Sequence, residues 1–275
     1  MSDQGDPLAR IAAALERLAP PAVPVPDWSA DPAYVWDQHG ARAVARIVAP
    51  PLDLLQGIDE QKQRVVDNVA RLAAGHAAHD MLLWGSRGMG KSALLRASVV
   101  AAQAGDPGRV ALIQVAPEAL SALAPLFGQL GRLERRFLVF IDDLGFEDGD
   151  SAGPRALRSW LEGGVEARPG NVRLAVTSNR RAIVPRHLAE QDDPINPRDA
   201  VDDRLALADR FGLSIGFHNC TQDQYLAIVG GYCAQHGLDW NEGDALEWSK
   251  RRGQRSGRVA WQFVTELAGR AGKAL

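Results

Sequence analysis

The sequence predicts an α/β protein: a parallel five-stranded sheet flanked by helices, followed by a small all-helical unit. Three observations predict it. Five short apolar runs without strict alternation are separated by helical patterns, the rhythm of strands buried on both faces. A glycine-rich loop carrying a lysine and a serine, "GSRGMGKS", joins the first of those runs to a helix. After Phe217 the strand signals stop and only helical patterns follow.

Taken in order, residues 1–50 read as an N-terminal arm. "PLARIAAALERL" over 7–18 repeats apolar positions at helical spacing, and "APPAVPVPDW" is too proline-rich for anything but an extended linker. "AYVWDQHGARAVARIV" places two alternating runs around Asp37–Gly40, which predicts a small hairpin packed on the main domain. Residues 51–217 form the α/β domain. "GIDEQKQRVVDNVARLAAG" is a helix ending at Gly75, and "DMLLWG" is the first strand. "KSALLRASVVAAQAG" is the helix after the glycine loop, closed by Gly105. "RVALIQVA", "FLVFIDD", "VRLAVTSN" and "GLSIGF" are the remaining strands. Residues 218–275 hold three helices, the first opened by a capping-box pattern of Thr221 with Gln224.

The bulk properties narrow the function classes. The 275 residues are 46% hydrophobic and 24% charged, ordinary for a water-soluble globular chain. A net charge of −3 excludes a global basic field that would pull the molecule onto nucleic acid or membrane. No apolar run approaches the roughly 18 residues of a membrane span. The N-terminus, "MSDQGDPLAR", is acidic where a secretion signal is basic, so a cytoplasmic protein is expected. Cys220 and Cys233 match no metal or redox spacing, and the six histidines show no ligand spacing.

The chemistry lies in the loop Gly85-Ser86-Arg87-Gly88-Met89-Gly90-Lys91-Ser92, which fits G-x-x-x-x-G-K-[ST]. Glycines let the backbone curl so that its N–H groups face an anion, and the following helix adds its positive end. Lys91 reaches the β- and γ-phosphates, and the Ser92 hydroxyl ligates Mg2+. Only four of the 31 basic residues are lysines, and one of them sits in this loop. A second strand, "FLVFIDD", delivers Asp142 to its C-terminal edge to hold Mg2+ through water, and Asp143 to polarise an attacking water. Two readings are open for the strand end Thr177-Ser178-Asn179: groups that orient that water, or a turn cap.

These pieces in this order resemble the AAA-plus ATPases: a Walker A loop, a Walker B strand ending in Asp142-Asp143, a polar fourth strand end and a C-terminal helical lid. The resemblance implies that Asn179 is the sensor-1 residue. It also implies that Arg210, in "LALADRFGL", is an arginine finger, with Arg204 as second candidate, and that Arg258, in "SGR", is sensor 2. Leu55, Gln56, Gly57 and Ile58 ("LQGI") look like the segment packing around adenine. The match is closer still to an uncharacterised bacterial AAA-plus family of unknown function. It is carried by "GIDEQK", "LLWGSRGMGKSALLRA", "IDDLGFEDGD", "TSNRR", "DRFGL" and "SGRVAWQFV" over about residues 34–265.

The resemblance implies ATP and Mg2+ as ligands, hydrolysis of ATP to ADP and phosphate, a homo-oligomer in which Arg210 acts in trans, and an unidentified protein client. Arg210 also has a local reading, a surface ion pair with Asp209 or Asp203. One departure stands out. Most AAA-plus motors end Walker B with Asp-Glu, and this chain has Asp-Asp. The shorter side chain reaches about 1.5 Å less, and a misplacement of that order costs on the order of 10²-fold in rate. A slow or non-hydrolysing ATP-dependent switch is therefore the alternative. Glu147 offers a replacement base, and with Asp148 and Asp150 it also reads as a solvated turn. "KRRGQR" at 250–255 is the densest basic cluster, read as a solvated helix end in preference to a nucleic-acid contact.

Overall fold

The computed structural model describes residues 26–145, 157–161, 168–179 and 208–275, with isolated positions between 6 and 14. Most of the helix expected over 7–18, most of the proline-rich linker, Glu147, Asp148, Asp150, Asp203 and Arg204 lie outside the described residues.

The sheet has seven strands, in the order β2-β1-β4-β5-β6-β3-β7. The strands are β1 (Ala33–Asp37), β2 (Gly40–Val44), β3 (Met81–Gly85), β4 (Val110–Val115), β5 (Arg136–Ile141), β6 (Val172–Ser178) and β7 (Leu213–Phe217). This corrects the expected five. The five parallel strands β3–β7 are present, and the N-terminal hairpin adds two more. Asp37↔Gly40 closes the antiparallel hairpin, and β1 then pairs parallel with β4, Ala33 opposite Leu112. Alternation within the hairpin predicts a strand pair but does not say which sheet edge it joins.

The central strands are buried on both faces, as their unbroken apolar runs require. Side chains alternate between two cores. Met81, Leu83, Leu138 and Phe140 face one core, and Leu82, Val139, Ile141 and Val176 face the other. The first core is covered by α1 (Asp59–Ala73) and α2 (Lys91–Gln103), the second by α3 (Leu123–Leu130). The C-terminal helices α4 (Gln222–His236), α5 (Glu242–Arg251) and α6 (Gly257–Arg270) pack Ile228, Ala245, Val259 and Phe263 into the same core as α1 and α2. Each has a side-chain N-cap: Thr221 in a full capping box with Gln224, then Asn241, then Ser256. No helix among the described residues is long and apolar enough to cross a membrane.

Candidate functional site

Because β3, β5, β6 and β7 run parallel, their C-terminal ends share one edge of the sheet. The glycine loop leaves β3 at that edge. Gly85, Gly88 and Gly90 all have positive φ (117°, 75° and 86°), and the last of these starts α2 at Lys91. The N–H end of α2 therefore points into the loop.

Lys91 is buried at 7% exposure. Its Nζ donates to the carbonyls of Gly85 (2.7 Å) and Ser86 (2.9 Å) and to Asn179 Oδ1 (3.4 Å). Burial holds its pKa below the usual lysine range. Asp143 and then Asp142 pull it back up, while Arg258 and Arg87 push it further down. The Ser92 hydroxyl donates to Asp142 Oδ1 at 2.6 Å, and the Thr177 hydroxyl donates to the same oxygen at 2.7 Å. Thr177 Oγ1 in turn accepts from the Asp143 N–H at 2.8 Å. The β6 end thus fixes both aspartates of the β5 end.

Asp143 is the one non-glycine residue with positive φ (52°) among the described residues, a conformation Asp tolerates better than most. The turn aims its carboxylate back at the sheet edge, where the Asn179 amide donates to it. Arg87, from the glycine loop, lies 3.8 Å away as an exposed ion pair. Asn179 therefore bridges Lys91 and Asp143.

A cavity of about 620 Å3 opens over this network. Arg87, Gly88, Met89, Gly90, Lys91 and Ser92 line its floor, together with both aspartates, Thr177 and Asn179. The opposite wall comes from the segment before α1 and from the C-terminal helices. Ile58 and Arg258 line it, whereas Gly57 does not and turns the chain beside Gln224 (φ 74°). The Arg258 N–H donates to the Gly88 carbonyl at 3.1 Å, so the start of α6 rests directly on the loop.

Arg210 is not brought to this cluster. It precedes β7, whose Leu213 end pairs with Met81 and whose Phe217 end pairs with Gly85. The five residues of β7 separate it from the loop edge by roughly 15 Å. The sequence reading also missed part of the site. Ile228, Tyr232 and Trp261 line the cavity, as does Arg96 on α2, beside Leu55 and Gln56 of the expected "LQGI" segment. Their signal was spacing: Ile228 and Tyr232 are four apart on α4, and Trp261 follows Arg258 by three on α6, so each pair shares a helix face. Among the described residues no group of three or more His, Cys, Asp or Glu side chains is placed to hold a metal ion.

The fold is shared with solved structures of the AAA-plus class. The RuvB Holliday junction branch migration motor of Thermotoga maritima superposes with a TM-score of 0.53 at 18% identity, covering 83% of this chain and 68% of that one. The Orc1 protein of Aeropyrum pernix, solved in complex with DNA, gives 0.53 at 18% identity over 80% of this chain and 65% of that one. Domain III of the replication initiation protein DnaA of Thermotoga maritima gives 0.50 at 12% identity over 84% and 89%. At these identities the likeness is one of fold. No curated protein matches the chain in sequence. The family described as "Protein of unknown function (DUF815)" matches residues 29–271, nearly all of the chain. The chain therefore belongs to the DUF815 family and carries that family's sequence on an AAA-plus fold.

Proposed function

We propose that the chain binds ATP with Mg2+ in this cavity, hydrolyses it, and couples its nucleotide state to a protein client. The observation that carries the reading is the convergence at one sheet edge of Lys91, the Ser92–Asp142 pair and the Asn179–Asp143 pair. A buried lysine bonded to the carbonyls of its own glycine loop is a cation poised for an anion. The hydroxyl of Ser92 and the carboxylate of Asp142 are hard oxygen donors 2.6 Å apart, a set that fits Mg2+. Bound there, Mg2+ would neutralise phosphate charge. Asp143 takes the proton of the attacking water as the bond to the leaving ADP oxygen breaks, and Asn179 and Arg87 hold its carboxylate in place.

Arg210 lies at the far edge of its own sheet, so the reading gives it to a neighbouring copy's nucleotide. Protein clients are favoured over nucleic acid, although two of the fold neighbours are named for a DNA junction or solved with DNA. Two of the four basic residues at the end of α5 are engaged within the chain: Arg251 pairs with Glu247 and Arg252 lies 4.5 Å over the Trp248 ring. Calorimetric titration of ATP into Lys91→Ala tests the nucleotide assignment. Binding is expected to disappear, and wild-type affinity would refute it.

A second reading, an ATP-dependent switch that turns over slowly, is favoured by Asp143 itself, short and already held by Asn179 and Arg87. Steady-state phosphate release from Asp143→Glu separates the two. Stimulation supports the switch, and an unchanged or lower rate supports the hydrolase.

A further inference from the structure

The N-terminal edge of the sheet carries a small cavity that the nucleotide reading does not use. It measures about 150 Å3 and lies between the end of α1 and the starts of β5 and β6, with Gly75, His76, Arg136 and Arg173 in its lining. Strand pairing explains why two arginines meet there. Arg173 lies opposite Leu138, which faces the core under α1, so Arg173 shares that face. Arg136 precedes Leu138 by two residues and shares it as well.

The two guanidinium groups are held differently. Arg173 is clamped: its Nε donates to the Ala78 carbonyl at 2.6 Å, and its Nη1 donates to the carbonyls of Val172 (2.6 Å) and Gly170 (3.0 Å). Its Nη2 is left over. The Arg136 guanidinium makes no hydrogen bond or ion pair with any described residue. It rests against backbone, since a Cβ built on Gly75 would lie 3.1 Å from Arg136 Nη2.

The fold itself does not need Arg136 here. A cation often satisfies the carbonyl end of a helix, but α1 caps itself. The Gly75 N–H donates to the Leu72 carbonyl and the His76 N–H to the Arg71 carbonyl, each at 2.9 Å, with Gly75 left-handed at φ 77°. Nor does a carboxylate neutralise the pair. Asp80 is taken by Arg168 at 2.6 Å and by the Leu174 N–H at 2.7 Å. Burial, and then Arg168 and Arg136, hold the Arg173 pKa below the usual arginine range, and Asp80 alone among the described residues opposes them. Three arginines therefore share one carboxylate.

We propose that Arg136 and Arg173 form a second anion site, separated from the nucleotide cavity by the length of β5, about 20 Å, and that it takes a phosphate group, either orthophosphate or the phosphomonoester of another molecule. The inference uses none of the residues of the ATP reading and stands apart from it. The cavity is well below the roughly 300–1,000 Å3 that encloses a ligand of nucleotide size, so one tetrahedral oxyanion suits it. A guanidinium is planar and always charged, and it meets phosphate oxygens two at a time. Arg173 offers a donor already fixed in place, and the unattached Arg136 closes on the ion. A dianion neutralises both charges, which a carboxylate does not.

The test starts from Lys91→Ala, whose phosphate loop has lost its cation. Orthophosphate, O-phosphoserine and serine are titrated into it, into Lys91→Ala with Arg136→Ala, and into Lys91→Ala with Arg136→Lys, read by thermal unfolding and by phosphorus NMR line width. Orthophosphate and O-phosphoserine are expected to stabilise Lys91→Ala, and serine is not. Arg136→Ala should weaken phosphate binding by about tenfold or more, the loss of a hydrogen-bonded charge. Arg136→Lys keeps the charge without the fork and should fall between. Tighter binding of O-phosphoserine identifies a monoester as the ligand, and tighter binding of orthophosphate identifies the free ion. Arg136→Ala alone should bind ATP as the wild type does. A Lys91→Ala protein that responds to neither phosphate, or a response that survives Arg136→Ala, would overturn the inference and leave the ATP reading untouched.

Discussion

The two edges of the sheet are both rich in polar side chains, and they treat them in different ways. At the N-terminal edge the buried amides and the buried carboxylate are engaged by the chain itself. Asn171 donates to the carbonyls of Leu130, Leu133 and Arg135, each at 2.9 Å. Asp80 accepts from the Leu174 N–H at 2.7 Å and from Arg168 at 2.6 Å. Asn68 exchanges two hydrogen bonds of 2.9 Å with the His79 backbone. At the C-terminal edge the two carboxylates are held by neutral partners, whereas the ion pair of Arg87 with Asp143 is exposed at 3.8 Å and Lys91 donates to carbonyls of its own loop. Satisfied polar networks fix a structure, whereas groups with spare capacity are available to a ligand.

Perturbing each edge should move a different observable. The largest effect expected is at the N-terminal edge, in turnover. Arg210→Ala should lower ATP hydrolysis by about 10³-fold while leaving ATP affinity unchanged, as for an arginine supplied in trans. Mixing Arg210→Ala with Lys91→Ala subunits should restore activity, and turnover per subunit that is unchanged and independent of protein concentration would dismiss the role. Next, Asp80→Ala strands the Arg168 guanidinium and the Leu174 N–H. It should cost about 3 kcal/mol of stability in urea unfolding, with ATP affinity of the folded protein unaltered. At the opposite edge, Ser92→Ala should leave stability within about 1 kcal/mol and abolish the gain in ATP affinity on adding Mg2+, by roughly tenfold, compared with and without EDTA.

The smallest effect is in pH. Burial lowers the Lys91 pKa in the free protein, so its charge is lost as pH rises at a lower value than for an ordinary lysine. A bound polyphosphate favours the charged form, so ATP affinity should be full near neutrality and fall several-fold on the alkaline side, measured by titration between about pH 7 and 10. An affinity flat across that range would show that Lys91 is not the principal cation.

The legibility of the molecule follows the same division. The strands β3–β7 were readable because burial on both faces writes itself into short unbroken apolar runs, and the phosphate loop because glycine and lysine are needed at fixed spacing. The parallel docking of β1 on β4 was not readable, since Ala33–Asp37 has the same alternation in any register. Asp142, Asp143 and Asn179 were legible as strand ends. Their interlock through the Thr177 hydroxyl was not, because a threonine in an apolar run carries no mark of which carboxylate it will meet. Tyr232 and Trp261 come from two segments far apart in the chain, and only folding brings them to one wall with Gln56.

The single bond from the Arg258 N–H to the Gly88 carbonyl joins two levers of very different length. On one side is a peptide of a tight loop. On the other is α6, whose 14 residues extend about 21 Å. Side chains leave no slack at the joint: a Cβ on Gly88 would come within 2.9 Å of Ser256 Oγ and 3.0 Å of Arg258 Cβ. A rotation of about 10° imposed at that fulcrum displaces the far end of α6 by roughly 4 Å, enough to change which surface the outer helices present. A local adjustment in the cradle is thereby magnified into a displacement at the far end of α6.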